Sequence, residues 1–235
     1  MSEFVDRIAQ NLARVREAMA RAAERSGRTA DQVRLVAVTK YVGVAEAEAL
    51  LAAGCCDLGE SRPQELWRKA EQLAGRPVRW HLIGHLQRNK AARSIPWVNL
   101  LHSGDSLRLL EAANQAAARG QRVVEVLLEV NVSGDASKHG FAADQLSEAL
   151  SAAPNWSHLR VCGLMAMAGW GTTPAEARRD FVRLRELRDR LQPDLPPGVS
   201  LEHLSMGMSG DFVEAIEEGA TLVRVGSALF EGIDA

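Results

Sequence analysis

Apolar residues in this chain follow more than one period. Near the N-terminus, Ile8, Leu12, Val15 and Met19 recur every three or four positions, which predicts a helix within residues 1–26 that packs one face on the body of the domain. Beyond it, short apolar runs alternate with amphipathic stretches. The runs Leu35–Thr39, Asp57–Gly59, Val78–Ile83, Val98–His102, Val123–Asn131, Leu159–Met165, Ser200–Leu204 and Leu222–Val225 predict eight strands. The segments Val44–Ala53, Pro63–Leu73, Ser106–Ala118, Ala142–Ala152, Pro174–Leu191 and Asp211–Glu218 predict helices, with a shorter one around Gln87–Arg93. Strand and helix in strict alternation imply parallel strands joined by right-handed crossovers. A run such as Leu35-Val36-Ala37-Val38 lacks the period-two pattern of a half-exposed strand, as a strand covered on both faces should. Eight such units in about 200 residues predict an α/β fold of the (β/α)8 TIM-barrel type. Pro193, Pro196 and Pro197 mark a loop over Gln192–Gly198, too short for an interdomain linker, so residues 1–235 are expected to form one domain.

Composition narrows the function classes. The formal net charge of −2, with no basic stripe, argues against a nucleic-acid partner. No run reaches the 18 or so apolar residues of a membrane helix. The Ala- and Arg-rich N-terminus also carries Glu3, Asp6, Glu17 and Glu24, which a transit peptide avoids, so a cytoplasmic location is expected. Cys55, Cys56 and Cys162 form no C-x-x-C pair and suit a reducing compartment. His81 and His85 lie four apart in a strand-and-turn segment, with no carboxylate spacing to complete a zinc site, so no metal is expected.

In a barrel, functional residues collect where strands end and βα loops begin. Here those positions hold Lys40, Glu60, His102-Ser103, Asn131, Met165, Ser205 and Arg224-Val225-Gly226. Lys40 ends the first strand, where an apolar barrel mouth would desolvate its amine, lower its pKa and free it for imine formation with an aldehyde. Taken alone it equally suits a rim lysine whose ammonium reaches water. The run Ser205-Met206-Gly207-Met208-Ser209-Gly210-Asp211 joins the seventh strand to a helix. Its glycines allow close backbone approach, and its hydroxyls and helix start offer donors to an anion; Ser209 could also serve as the helix cap. Gly226 and Ser227 follow the eighth strand, in the loop region that commonly holds phosphate in barrel enzymes. Arg224, inward at a strand end, needs a partner, either a ligand or a barrel carboxylate. The pieces together ask for an aldehyde at one end, a phosphate at the other and a flat heterocycle between, which is the layout of pyridoxal 5′-phosphate.

The chain resembles the YggS/PROSC pyridoxal-phosphate homeostasis proteins. The resemblance runs through Ala37-Val38-Thr39-Lys40, Leu58-Gly59-Glu60, the string from Trp80 to Lys90 (WHLIGHLQRNK), His102-Ser103 with Asp105-Ser106, and Glu129-Val130-Asn131. It continues through Lys138-His139-Gly140, Gly163-Leu164-Met165-Ala166-Met167, Ser205-Met206-Gly207-Met208-Ser209 and Val223-Arg224-Val225-Gly226. It implies a barrel like the alanine racemase N-terminal domain, with pyridoxal 5′-phosphate held as a Schiff base on Lys40. It further implies phosphate contacts from Ser205, Ser209, Gly226 and Ser227, Arg224 facing the pyridine nitrogen, and Asn131 and Met165 near the cofactor. Where the family usually reads Gly-Glu-Asn, this chain has Gly59-Glu60-Ser61, so the asparagine contact falls to the shorter Ser61.

Arg224 also bears on mechanism. An arginine stays protonated and disfavours protonation of the pyridine nitrogen beside it, leaving the ring a poor electron sink. Racemases of related fold use a second base, commonly a tyrosine from a second domain of the partner subunit. Here the only tyrosine is Tyr41, next to Lys40, and with the chain ending at Ala235 no second domain is expected. The expectation is therefore a non-enzymatic cofactor carrier, monomeric, with apo-enzymes as recipients. The alternatives are an amino-acid racemase with His102 or Cys162 as second base, and a Schiff-base aldolase acting on a sugar phosphate, which leaves Arg224 without a role.

Overall fold

Eight strands close into one parallel barrel in the order of the sequence: β1 Arg34–Val38, β2 Asp57–Glu60, β3 Arg79–Leu82, β4 Val98–Gly104, β5 Val124–Glu129, β6 Leu159–Met165, β7 His203–Ser205 and β8 Leu222–Val225. The computed structural model describes residues 3–133, 139–169, 171 and 173–233, so Lys138 of the Lys138-His139-Gly140 match lies outside the described residues. The helices are α1 Glu3–Arg25, α2 Val44–Ala52, α3 Pro63–Gln72, α4 Arg88–Ser94, α5 Leu107–Arg119, α6 Leu146–Ala152, α7 Pro174–Leu191 and α8 Phe212–Glu217. Closure leaves no sheet edge, and the helices cover the outer face.

Helix α1 buries Ile8, Leu12, Val15, Met19, Ala22 and Ala23 along one stripe, and it packs against α2 and α8. It thereby fills the place in the outer ring that a helix after β8 would take. Asn11, on the same face, donates from Nδ2 to the carbonyls of Leu229 and Glu231 at 3.2 and 3.0 Å, tying the first helix to the segment after β8. Thr173 caps α7 in a reciprocal box: Glu176 N–H reaches Thr173 Oγ1 while Thr173 N–H reaches Glu176 Oε2.

Most boundaries shift by one or two residues from the pattern in the sequence, and two starts shift by three or more. β7 begins at His203 and not Ser200; the pairing of β6 with β7 starts at Gly163 and His203. Helix α6 begins at Leu146 and not Ala142; residues 142–145 form a separate turn, with Gln145 N–H on Ala142 O at 3.0 Å and Ala142 N–H on the Gln145 side chain at 3.1 Å.

The barrel lumen has an apolar layer and a polar one. Val36, Leu100, Leu127, Cys162, Met165 and Leu222 pack together inside, apart from the larger core between sheet and helices. Register then decides which polar residues share that interior. Arg224 pairs with Val36, His81 with Leu100, and Ser205 with Leu222, so all three side chains point inward with their partners.

Candidate functional site

Lys40, Ser61, Ser209, Arg224, Gly226 and Ser227 line one cavity of about 630 Å³ at the C-terminal mouth of the barrel. These are six of the nine residues expected from the sequence, brought together from the ends of β1, β2, β7 and β8. The other three lie elsewhere. Ser205 is buried behind Arg224, and Met165 belongs to the apolar lumen layer. Asn131 follows β5, where its amide oxygen accepts from Ser133 Oγ at 3.1 Å and its backbone N–H binds Phe141 O at 3.0 Å.

Lys40 stands in the turn beyond the end of β1 and is exposed, with Nζ 4.9 Å from the centre of the Tyr41 ring. The desolvation expected at the barrel mouth is not supplied by the chain itself, because β1 ends at Val38 and the amine clears the apolar layer. Tyr41 is 79 % exposed, and Met167 and Met208 beside the same cavity are also exposed. The cavity thus opens to solvent through an apolar rim.

The anion corner is built from backbone and hydroxyls. Gly226 N–H donates to Ser209 Oγ at 3.1 Å, so the loops after β7 and β8 meet there, and the Ser209 hydroxyl hydrogen stays available for donation. A Cβ on Gly226 would lie 3.3 Å from Val38 O, a tight contact that a side chain there could keep only by shifting the strand end a few tenths of an ångström. A Cβ on Gly210 would meet nothing within 4 Å, which leaves open space beside the hydroxyl. Ser209 does not cap α8; its hydroxyl is committed to the neighbouring loop, and Asp211 Oδ1 takes the Met208 N–H instead.

Arg224 is buried and, among the described residues, donates only to neutral acceptors: Ser205 O at 2.8 Å, Ser205 Oγ at 2.5 Å and Ala166 O at 3.0 Å. The barrel carboxylate considered as its partner is therefore not hydrogen-bonded to it. Burial pushes its pKa down to about 10, against the pull of Glu129 and Asp211, so it remains a cation at neutral pH. Burial and the nearby Asp105 in turn push Glu129 up to about 7, with Arg224 and His85 opposing.

Behind Arg224 a hydrogen-bonded chain runs down the lumen. Ser205 Oγ lies 2.8 Å from His102 Nδ1, His102 Nε2 lies 2.9 Å from His81 Nδ1, and His81 Nε2 lies 2.9 Å from Asp57 Oδ1. The ionised Asp57 carboxylate can only accept, which sets the direction of the chain from its far end and has Ser205 Oγ donate to His102 Nδ1. His102 then donates from Nε2 to His81, and His81 from Nε2 to Asp57, which fixes both tautomers. Burial pushes both imidazoles below their ordinary pKa, His102 the further, in keeping with two neutral rings. At the far end burial raises the Asp57 pKa, but hydrogen bonds from Arg79 and His81 outweigh it and hold the carboxyl below the usual range. His102 is thus fully engaged. Cys162 lies in the lumen with Sγ 3.7 Å from Val126 O, and burial pushes its thiol up to about 12. Neither candidate second base lines the cavity.

A third feature escaped the sequence reading. Lys69, on α3, is completely buried and donates to Thr39 O and Glu60 Oε1, both at 2.6 Å; Thr39 Oγ1 donates to the same carboxylate oxygen at 2.6 Å. The trio fixes the two strand ends that immediately precede Lys40 and Ser61. Its signal was present: Lys69 interrupts the apolar stripe of Leu66, Ala70 and Leu73.

The model of the alanine racemase N-terminal domain family matches residues 5–233. The pyridoxal phosphate homeostasis protein of Aquifex aeolicus is 39 % identical over 221 residues, covering 94 % of this chain and 96 % of that protein. The protein of the same name from Pseudomonas aeruginosa is 40 % identical over 237 residues, covering 100 % and 97 %. Among solved structures, PipY of Synechococcus elongatus with PLP bound superposes with a TM-score of 0.85 at 34 % identity, covering 95 % of this chain and 99 % of that one. Alanine racemase of Streptomyces lavendulae gives a TM-score of 0.74 at 20 % identity over 96 % of this chain and 57 % of that one, a likeness of fold.

Proposed function

We propose, for a chain that belongs to the pyridoxal phosphate homeostasis proteins within the alanine racemase N-terminal domain family, that it binds pyridoxal 5′-phosphate and holds it in exchangeable form as a carrier or buffer. The observation that carries this reading is one cavity shared by an exposed amine, a hydroxyl-and-backbone anion corner and a buried arginine with no anionic hydrogen-bond partner among the described residues. When bound, the cofactor supplies an aldehyde that condenses with a primary amine, and a phosphate.

In this reading Lys40 holds the aldehyde end as a Schiff base. Ser209, Gly226 and Ser227 donate to the phosphate, and Arg224 faces the pyridine nitrogen. Ser61 lies on the wall where the family carries asparagine. Ser205 acts through Arg224, whose guanidinium it fixes, and not on the phosphate. Arg224 remains a cation and so disfavours a proton on the nitrogen opposite it, which suppresses carbanion chemistry. With Cys162 and His102 committed inside the lumen, proton transfer on both faces of a substrate lacks a second base, which supports a carrier over a racemase. We assign the protein no catalytic turnover, a monomeric state, a cytoplasmic location and apo-enzymes as recipients.

The test is an absorbance titration of the purified chain and of Lys40→Ala with pyridoxal phosphate, followed by mixing with an apo-enzyme. The wild type should develop a visible band that the variant lacks, and the recipient should regain activity as the band decays. Absence of a lysine-dependent band defeats the binding reading. Steady conversion of a single-enantiomer amino acid to racemate defeats the carrier reading.

A further inference from the structure

His81 and His85 part at the top of β3: His81 points into the lumen, whereas His85 sits on the exposed loop beyond the strand. There His85 Nδ1 lies 2.6 Å from Asp105 Oδ2, in the loop after β4. Its ring also stacks on His139, from the loop after β5, with centroids 4.0 Å apart and planes 9° apart. One donor atom from each of the three side chains lies within 4.8 Å of the others. We propose that His85, Asp105 and His139 form a binding site for a divalent transition-metal ion of the zinc type on the rim of the barrel.

Two imidazoles and one carboxylate, with water completing the sphere, suit a borderline cation; calcium and magnesium want more oxygen ligands than are offered here. The three backbones are held for it. Gly84 O accepts from Ser103 Oγ at 2.7 Å, and a Cβ on Gly84 would fall 2.3 Å from Ser61 O, so the residue before His85 has one place to be. Gly140, just after His139, has φ of +109°, and Phe141 N–H binds Glu129 O at 2.8 Å, which returns that loop to the barrel. Asp105 Oδ1 accepts from Ser106 Oγ at 3.1 Å, leaving Oδ2 aimed at His85. The carboxylate is 6 % exposed and the His85 ring 41 %, so the remaining coordination position opens to solvent.

Metal–nitrogen bonds of about 2.05 Å put tetrahedral ligands about 3.3 Å apart. The stacked rings must therefore splay and close on the ion, a rotamer-scale movement for surface side chains. Without metal, a hydrogen bond joins His85 Nδ1 and Asp105 Oδ2; the ion takes that place while the neutral ring carries its proton on Nε2, and because protons compete with the ion for the ligand atoms, affinity must fall on acidification. Glu129, near Asp105 and burdened by its charge, adds negative potential that a cation would relieve. Gly84 lines the main cavity, so a bound ion would cross-link three βα loops beside its mouth.

This inference does not rest on cofactor binding, and its test avoids the cofactor. Untagged, EDTA-treated Lys40→Ala protein is titrated with Zn2+ by calorimetry and with Co2+ by visible absorption. The same is done on His85→Ala and His139→Ala versions, with folding checked by circular dichroism. Expected are one ion per chain with a Kd of about 10 µM or below, a Kd at least about tenfold weaker in each variant, and weaker binding at lower pH. A Kd above about 1 mM overturns the proposal, and so does binding that survives both histidine replacements, which would put the ion elsewhere.

Discussion

Replacing Lys69 by methionine should be among the costliest conservative changes in this chain. Methionine matches the lysine stem in length and flexibility, so packing on α3 is kept and the loss is the ammonium. That group is completely buried, and its two acceptors, Thr39 O and Glu60 Oε1, are each 2.6 Å away. Removing it leaves the Glu60 carboxylate with one donor, the Thr39 hydroxyl, while Glu60 Oε2 already lacks a hydrogen-bond partner. At 2.6 Å and an effective dielectric of 20 the attraction forfeited is about 6 kcal/mol. Relaxation and water entry reduce this to the roughly 3–5 kcal/mol observed when one partner of a buried ion pair is removed. For a domain of this size that lowers the thermal midpoint by about 6–20 °C. The assay is thermal and urea unfolding of the wild type, Lys69→Met, Glu60→Met and the double variant. Because the double variant leaves no isolated charge, it should be more stable than Lys69→Met alone. A Lys69→Met cost below about 1 kcal/mol, or a double variant equal to the sum of the singles, would refute the reasoning.

Two further outcomes follow from the lumen. Burial depresses His81, His102 and His203, so on acidification through the ordinary histidine range the unfolded state binds protons that the native state resists and stability falls, while Glu129, raised to about 7 by burial, opposes this by holding a proton that the unfolded carboxyl still lacks. The fall is read as the urea midpoint between about pH 6.5 and 4.5; His102→Gln should flatten the slope, and an unchanged slope would remove His102 from the explanation. The Cys162 thiol, pushed up to about 12 by burial, should resist a thiol reagent in native protein at pH 8 and react on unfolding, whereas half-buried Cys56 reacts at once; fast native labelling of Cys162 would reopen it as a base.

The barrel was legible because closure covers both faces of every strand, and Leu35-Val36-Ala37-Val38 and its counterparts therefore read as unbroken apolar runs. Boundaries were legible where local chemistry ruled, as at Thr173 and Pro174, and where an apolar run was sharply bounded, as at β6 and β8. At Ala142 a turn over residues 142–145 precedes the helix, a distinction that periodicity does not register. Of the nine residues expected at the site, Lys40, Ser61, Ser209, Arg224, Gly226 and Ser227 share one cavity, because they sit at or just beyond strand ends, which chain order alone supplies. Ser205 sits at a strand end too, yet its side chain turns to His102 and Arg224.

The sequence by itself determined the order of strands and helices, the lysine, the glycine-and-serine turns and the arginine, because these depend on residue type and on neighbours a few positions away. Only the tertiary structure decided which polar groups meet. Asp57, His81, His102 and Ser205 form one chain, Lys69 reaches across to Glu60, and His85 faces His139, because barrel register and closure place strand ends side by side at separations from 9 to 103 residues among the hydrogen-bonded pairs. Periodicity reports which face a residue takes; the partner waiting on that face is set by the shear of the closed sheet.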